Sequence, residues 1–248
     1  MPISSPACAA PERPGAIRRA TFRVPPCTPG SNAAAGSVLL RLLPDECAKR
    51  HAPLLRRCPR VELAVGERRA DDALAGAAIL LVEDGIALVV AQADETSREM
   101  IVAIAPPGDV LCPPRRDEQL AALTPAVVTA VPRLTYRALL ASPEVAGVLV
   151  ERLLDAVCER QQSLATFGAV DHGERVRQKL LQLARAHGRV ARDGVQLDLP
   201  LTHELLAQTT GSARETVTLA LTALRKQGFL VRDGRRYRLL IPPETLAS

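Results

Sequence analysis

The sequence predicts an α+β fold: an N-terminal strand domain, a long helix, and a C-terminal helix-turn-helix followed by a two-stranded wing. Three observations predict it. Between Val61 and Val131, short apolar runs are broken by turn signals; from about Pro143 to His187 the apolar residues move to helical spacing; and Leu201 to Leu240 reads as two short helices and a hairpin.

The 248 residues suit two domains, and 47% hydrophobic with 24% charged residues is a globular composition. With aromatic residues at 2%, the core must be built from Leu, Val, Ile and Ala. The net charge of +5 and pI near 9.1 favour a polyanionic partner only mildly. Location says more: from Asp171 to Ser248 there are thirteen Lys and Arg against eight Asp and Glu. No run of eighteen apolar residues occurs and the N-terminus lacks the order of a secretory signal, so a cytoplasmic protein without a membrane partner is expected. The six cysteines, Cys8, Cys27, Cys47, Cys58, Cys112 and Cys158, form no C-x-x-C pair, which argues against a zinc finger or ribbon and for reduced, mostly buried thiols.

Residues 1–36, rich in Pro, Ala, Ser and Gly, read as a flexible leader. From Val38 to Cys58 a helical pattern is interrupted by Pro44 and Pro53, which predicts two short helices. Strands are expected at 61–65, 78–82, 86–90, 100–104 and 127–131, with Glu83-Asp84-Gly85 joining the second and third as a hairpin turn. Short strands at fairly regular spacing suggest a sandwich or barrel. In the long helix, Val150, Leu153, Val157, Leu164 and Phe167 form a seam if Arg160 is admitted to the series; it packs either on a second copy or on the chain's own strands. Gly168 interrupts the pattern, and Asp171-His172-Gly173 reads as a hinge or a helix restart before the helical Val176, Leu180, Leu181 and Leu183.

The informative segment begins at Leu201. Thr202 can N-cap a first helix, Gly211 can supply the turn, and Ser212 with Glu215 reads as a capping box for a second helix. On that second helix Val217, Ala220, Leu221 and Leu224 share a core face. Glu215, Thr218, Thr222 and Lys226 lie opposite, with Arg214 in the first turn and Leu219 as the one apolar exception. A helix of this size fits the major groove of DNA, where a guanidinium can bond guanine and a carboxylate can accept from cytosine. Beyond it, strands at 228–231 and 237–240 flank Arg232-Asp233-Gly234-Arg235-Arg236, a basic wing tip suited to phosphate.

The Gly-Ser-Ala-Arg-Glu-Thr-Val run at 211–217 resembles the recognition-helix signature of the CRP/FNR superfamily (cyclic-AMP receptor protein and fumarate-nitrate regulator). The resemblance is clearest over Leu201 to Leu240 and extends more weakly over 38–248. It implies that Arg214 and Glu215 contact bases, that Thr202 contacts a phosphate, and that Thr216 and Thr218 lie close to DNA; Ser212, Thr222, Arg235 and Arg236 complete the expected surface. A further basic reader of some members falls on Leu219, so operator preference is expected to differ. The implied organisation is a leader at 1–36, a cyclic-nucleotide-binding-like β-roll (jelly roll) at 37–141, a dimerisation helix at 142–170 and a winged helix-turn-helix at 171–248.

Pro107-Gly108-Asp109 matches the start of the family's phosphate-binding cassette, but the chain continues Val110-Leu111-Cys112-Pro113-Pro114-Arg115-Arg116 without the Gly-Glu and Arg-Ser elements. Two prolines remove backbone donors that a cyclic phosphate needs, although Arg115 or Arg116 are candidate substitutes. Arg160 and Gln161 stand where the prototype meets adenine, and neither the cysteines nor His51, His172, His187 and His203 supply an iron–sulfur or haem ligand set. No cofactor and no control by cyclic AMP are therefore expected; Cys112 is the one thiol to consider for redox sensing, with burial as a plain apolar residue the reading preferred.

Together these readings predict a homodimeric regulator of transcription that binds double-stranded DNA at an inverted repeat, its recognition helices about one helical turn (roughly 34 Å) apart. RNA polymerase is a further partner to weigh, though no residue type or spacing marks a contact for it. The rival is an effector-sensing module, for cyclic nucleotide or redox, whose DNA binding is ligand-dependent or secondary. An enzyme is not expected: the chain has no Gly-rich phosphate loop, H-E-x-x-H or nucleophile elbow.

Overall fold

Pro44 separates α1 (Val38–Arg41) from α2 (Asp45–Arg56), standing as the N-cap where its missing N–H costs nothing. Pro53 does not end α2 as expected: it sits exposed in the last turns, and burial of Cys47, His51 and Leu55 carries the helix past it. The computed structural model describes residues 37–70, 72–92, 99–167, 171–234 and 236–246, the side chains of 72–73 and 163–167 excepted. The expected leader, the hinge residues 168–170 and Arg235 lie outside the described residues. Glu83 fixes the entry to α1, accepting hydrogen bonds from Ser37 Oγ and Val38 N at 2.6 Å each and from Thr129 Oγ1 at 2.9 Å.

The strand domain runs β1 (Arg60–Leu63), β2 (Arg68–Arg69), a helical turn α3 (Asp72–Ala75), β3 (Ala77–Asp84), β4 (Ala87–Ala91), β5 (Met100–Ala105), β6 (Val110–Leu111), β7 (Glu118–Ala122) and β8 (Ala126–Pro132). They form two four-stranded antiparallel sheets, β1-β8-β3-β6 and β2-β7-β4-β5. All five expected strands are present. The expected β3–β4 hairpin is not. Gly85 does take a positive φ of 70°, but there the chain leaves one sheet and enters the other, β3 pairing with β8 and β6 and β4 with β5 and β7. The turn passes so close to Pro125 O that an added Cβ would stand 1.9 Å from it.

Leu80, Val82 and Val128 of one sheet meet Ala87, Val89 and Leu120 of the other inside the roll. After α4 (Arg133–Leu140), the long α5 (Pro143–Phe167) returns along the roll, burying Val145 and Leu149 against Ile79, Leu81 and Val131. The C-terminal part is α6 (His172–His187), β9 (Gly188–Ala191), β10 (Gly194–Leu197), α7 (His203–Thr210), α8 (Arg214–Lys226), β11 (Leu230–Asp233), β12 (Arg236–Leu239) and a 3-10 turn, Pro243–Leu246. Asp171 caps α6, accepting from Gly173 N at 3.1 Å and Glu174 N at 3.3 Å. The wing strands belong to a four-stranded sheet, β11-β12-β10-β9, of which the sequence pattern showed only the wing.

This C-terminal core is continuous with the roll. Leu88, Val90 and Ile101, on the outer side of the β4–β5 pair, are buried in the same cluster as Leu180, Leu206 and Leu221. Gln208 of α7 reaches the same sheet edge, donating to Glu99 (3.3 Å), whose carboxylate is also held by Arg68 (2.8 Å from Nη2).

Candidate nucleic-acid interface

Local chemistry sets the two-helix geometry. Thr202 Oγ1 accepts from Leu205 N at 3.0 Å, which starts α7, and Gly211 at φ 62° ends it in the left-handed conformation that a Cβ disfavours. Thr209 and Thr210 turn their hydroxyls onto Leu206 O at 3.0 and 2.7 Å, so two polar residues remain buried without penalty. The expected capping box does not form. Ala213 occupies the N-cap of α8 with no side-chain cap, while Ser212 is 1% exposed and bonds Thr210 O (3.4 Å) and His172 Nδ1 (3.1 Å). Ser212 thus ties the turn to α6 and is removed from the surface expected to meet DNA.

Val217, Ala220, Leu221 and Leu224 of α8 are buried, as the wheel predicts, and Arg214, Glu215, Thr218, Leu219 and Thr222 are exposed; Thr216 is half-buried. A cleft of about 620 Å³ runs past the start of α7 and the first turn of α8 to the wing, lined by Pro200, Leu201, Thr202, His203, Glu204, Arg214 and Arg232. Thr218 Oγ1 donates to Arg214 O at 2.9 Å, so at the 2.8 Å contact with His203 it is Nδ1 that donates. Partial burial, then the charges of Arg232 and Arg214, hold His203 below the ordinary histidine range. On the wing, Arg236 pairs with Asp198 at 3.2 Å yet stays mostly exposed, and Arg232 stands 5.9 Å over Tyr237. The expected phosphate contact Arg235 lies outside the described residues.

The α5 seam divides into a buried and an exposed part. Val145, Leu149 and half-buried Leu153 pack on the roll, whereas Val150, Leu154 and Val157 are 50%, 58% and 48% exposed along one stripe. The side chains of Leu164 and Phe167 lie outside the described residues. Where the resemblance places a nucleotide base, Arg160 is ion-paired to buried Glu118, which also accepts from Arg115 N at 3.2 Å. The side chains of Arg115 and Arg116 point to solvent, and Cys112 is exposed, not buried as expected, as is Cys158; Cys47 and Cys58 are buried.

One cluster escaped the sequence reading. Lys179 of α6 is 2% exposed, its Nζ donating to Gln182 Oε1 at 3.0 Å; Gln182 Nε2 donates to Glu159 O at 2.9 Å, and His187 Nε2 lies 3.9 Å from Glu159 Oε1. Burial pushes Lys179 down to about 8, with Glu159 opposing. Burial would also lower His187, but Glu159 and Asp109 carry it above its usual value, while burial drives Asp109 up to about 6 against the pull of His187. Roll, long helix and C-terminal domain therefore meet at ionisable groups. The available signal was Lys179 at i+3 from Val176, on the apolar stripe of α6.

Residues 174–247 match the family model described as the Crp-like helix-turn-helix domain. The transcriptional activator protein FnrL of Cereibacter sphaeroides is 26% identical over 212 residues, covering 77% of this chain and 85% of the relative. Residues 174–247 are thus a Crp-like helix-turn-helix domain, in a chain similar to a transcriptional activator over most of its length. A second relative, the global nitrogen regulator of Synechococcus elongatus, is 32% identical over 122 residues, 49% of this chain; the match spans only about half of that relative's length, 55%. Among solved structures, a mutant of CooA from Carboxydothermus hydrogenoformans superposes with a TM-score of 0.66 at 21% identity, covering 79% of this chain and 88% of that one. The roll, the long helix and the C-terminal helix-turn-helix share the fold of that structure.

Proposed function

We propose that this chain is a transcription regulator that binds double-stranded DNA as a homodimer at an inverted repeat, and that it does so without cyclic AMP. The observation that carries the reading is the exposed face of α8, on which Arg214 and Glu215 stand in the first turn, flanked across one cleft by Thr202 and Arg232. In this reading Arg214 and Glu215 read bases, Thr202 and Arg236 meet phosphates with Arg235 beside them, and Thr216, Thr218 and Thr222 line the groove. The stripe Val150, Leu154 and Val157 supports a two-fold pairing of α5 helices. We take 37–141 as the roll, 142–170 as the pairing helix and 171–248 as the DNA-binding domain.

Independence from cyclic AMP is supported by what fills the ligand's place. The Arg160–Glu118 ion pair stands there, the roll interior is closed by Leu80, Val82 and Leu120, and the cassette arginines face outward. A cytoplasmic location goes with this function; among the described residues no helix is long and apolar enough to cross a membrane. Selection of bound duplexes from a random library, with and without cyclic AMP, tests the reading. An inverted repeat enriched equally in both arms is expected; enrichment only with the nucleotide refutes independence, and no enrichment refutes autonomous binding.

A further inference from the structure

Beyond its first turn, the exposed face of α8 carries no charge until Arg225: it presents Thr218, Leu219, Thr222 and Ala223. Leu219 is 72% exposed. A lone surface leucine would need no explanation, but its neighbours extend it into a patch. The hydroxyl proton of Thr218 is spent on Arg214 O at 2.9 Å and that of Thr222 on Thr218 O at 2.8 Å, which turns both hydroxyls onto the helix. A threonine bonded in this way leaves its methyl group as the outward surface. The middle of the stripe, around Leu219, is therefore its most apolar part, within a frame set by Arg214, Glu215 and the His203 contact on Thr218 at one end and by Arg225 and Lys226 at the other.

The wall of the major groove offers one apolar group, the 5-methyl of thymine. A cytosine or adenine amino group facing Leu219 itself would be desolvated against a side chain that has no acceptor. We propose that Leu219 is a specificity-determining residue that reads a thymine methyl in each half-site, framed by the methyls of Thr218 and Thr222. The proposal rests on the DNA-binding reading above and adds the base that the uncharged part of α8 selects.

The test is a scan of the selected operator in which each thymine is replaced by deoxyuridine, removing the methyl and nothing else. One position per half-site should weaken binding about fourfold, the value of one buried methyl-sized group, and both half-sites together about fifteenfold. In Leu219→Ala, thymine and deoxyuridine should bind alike at that position, while discrimination at the base pair read by Arg214 persists. Being exposed, Leu219 can be truncated without loss of fold, which a melting curve checks; Leu219→Gln serves as a second variant and should shift the preferred base away from thymine. A half-site lacking thymine, tolerance of deoxyuridine at every position, or an equal penalty in Leu219→Ala overturns the leucine's role alone. If no duplex is enriched, the DNA-binding reading falls and this proposal with it.

Discussion

Lys179→Met should stabilise the protein at neutral pH and destabilise it in alkali. Lys179 is buried where α6 meets α5, and its folded value of about 8 lies below the unfolded 10.5. A lowered lysine costs stability wherever both states are charged, here below pH 8. The cost fades between pH 8 and 10.5, because the folded protein has released the proton while the unfolded chain still holds it. The drop from 10.5 to about 8 corresponds to about 3 kcal/mol at pH 7. Methionine keeps an unbranched apolar stem in the same space and carries no charge, but it abandons the 3.0 Å bond to Gln182 Oε1, worth about 1 kcal/mol. The variant is thus expected to be more stable by about 2 kcal/mol at pH 7 and less stable by about 1 kcal/mol near pH 10.5. Urea unfolding at fixed protein concentration measures both, the concentration being held because association between copies shifts apparent stability. Equal differences at the two pH values, or a loss at pH 7, would refute the account of a charged lysine held at a cost.

The remaining predictions concern DNA and assembly. Arg214→Ala should lose on the order of 1–3 kcal/mol of discrimination at one base pair per half-site, measured by competition between operator variants; uniform loss on every sequence would contradict a base-reading role. Arg236→Ala should weaken binding to any duplex and reduce the slope of log affinity against log salt by about one for each wing that loses a phosphate contact. A penalty confined to particular sequences would contradict that assignment. Leu154→Glu places a charge in the middle of the exposed α5 stripe and should convert the dimer to a monomer in sedimentation equilibrium, without altering the far-ultraviolet spectrum. A variant that remains dimeric at the same concentration would rule out that stripe as the seam.

What the sequence revealed and what it hid follow one physical division. Thr202, Gly211 and the core face of α8 were legible because each acts on its immediate neighbours, through a cap, a positive φ or a periodicity. The capping box failed although its residues were right: Ser212 had a competing partner in His172, forty residues away, and no local pattern contains that contact. The β3–β4 hairpin failed for a similar reason, since Glu83-Asp84-Gly85 makes a turn whichever sheet the next strand joins. The short β2, β6 and β7 were missed because two-residue strands have no period, and Glu118-Gln119-Leu120 does not alternate cleanly.

The run Ala87-Leu88-Val89-Val90 shows the same division and gives it a consequence. A strand with one wet face alternates, and this one does not. Ala87 and Val89 fill the roll, while Leu88 and Val90 are buried on its outer side with the core of the DNA-binding domain. The continuous apolar run thus announced that both faces are covered without naming the cover. That cover includes α7, whose N-cap Thr202 borders the cleft beside α8, so the outer face of β4 and β5 bears on where α7 stands. Ile101 lies beside Val90 in the same pairing, and α7 sends Gln208 to Glu99 at the strand's edge. Apolar burial supplies the attraction and the polar contact supplies direction. The roll is therefore packed directly against the helix that begins at Thr202, through Leu88, Val90 and Ile101.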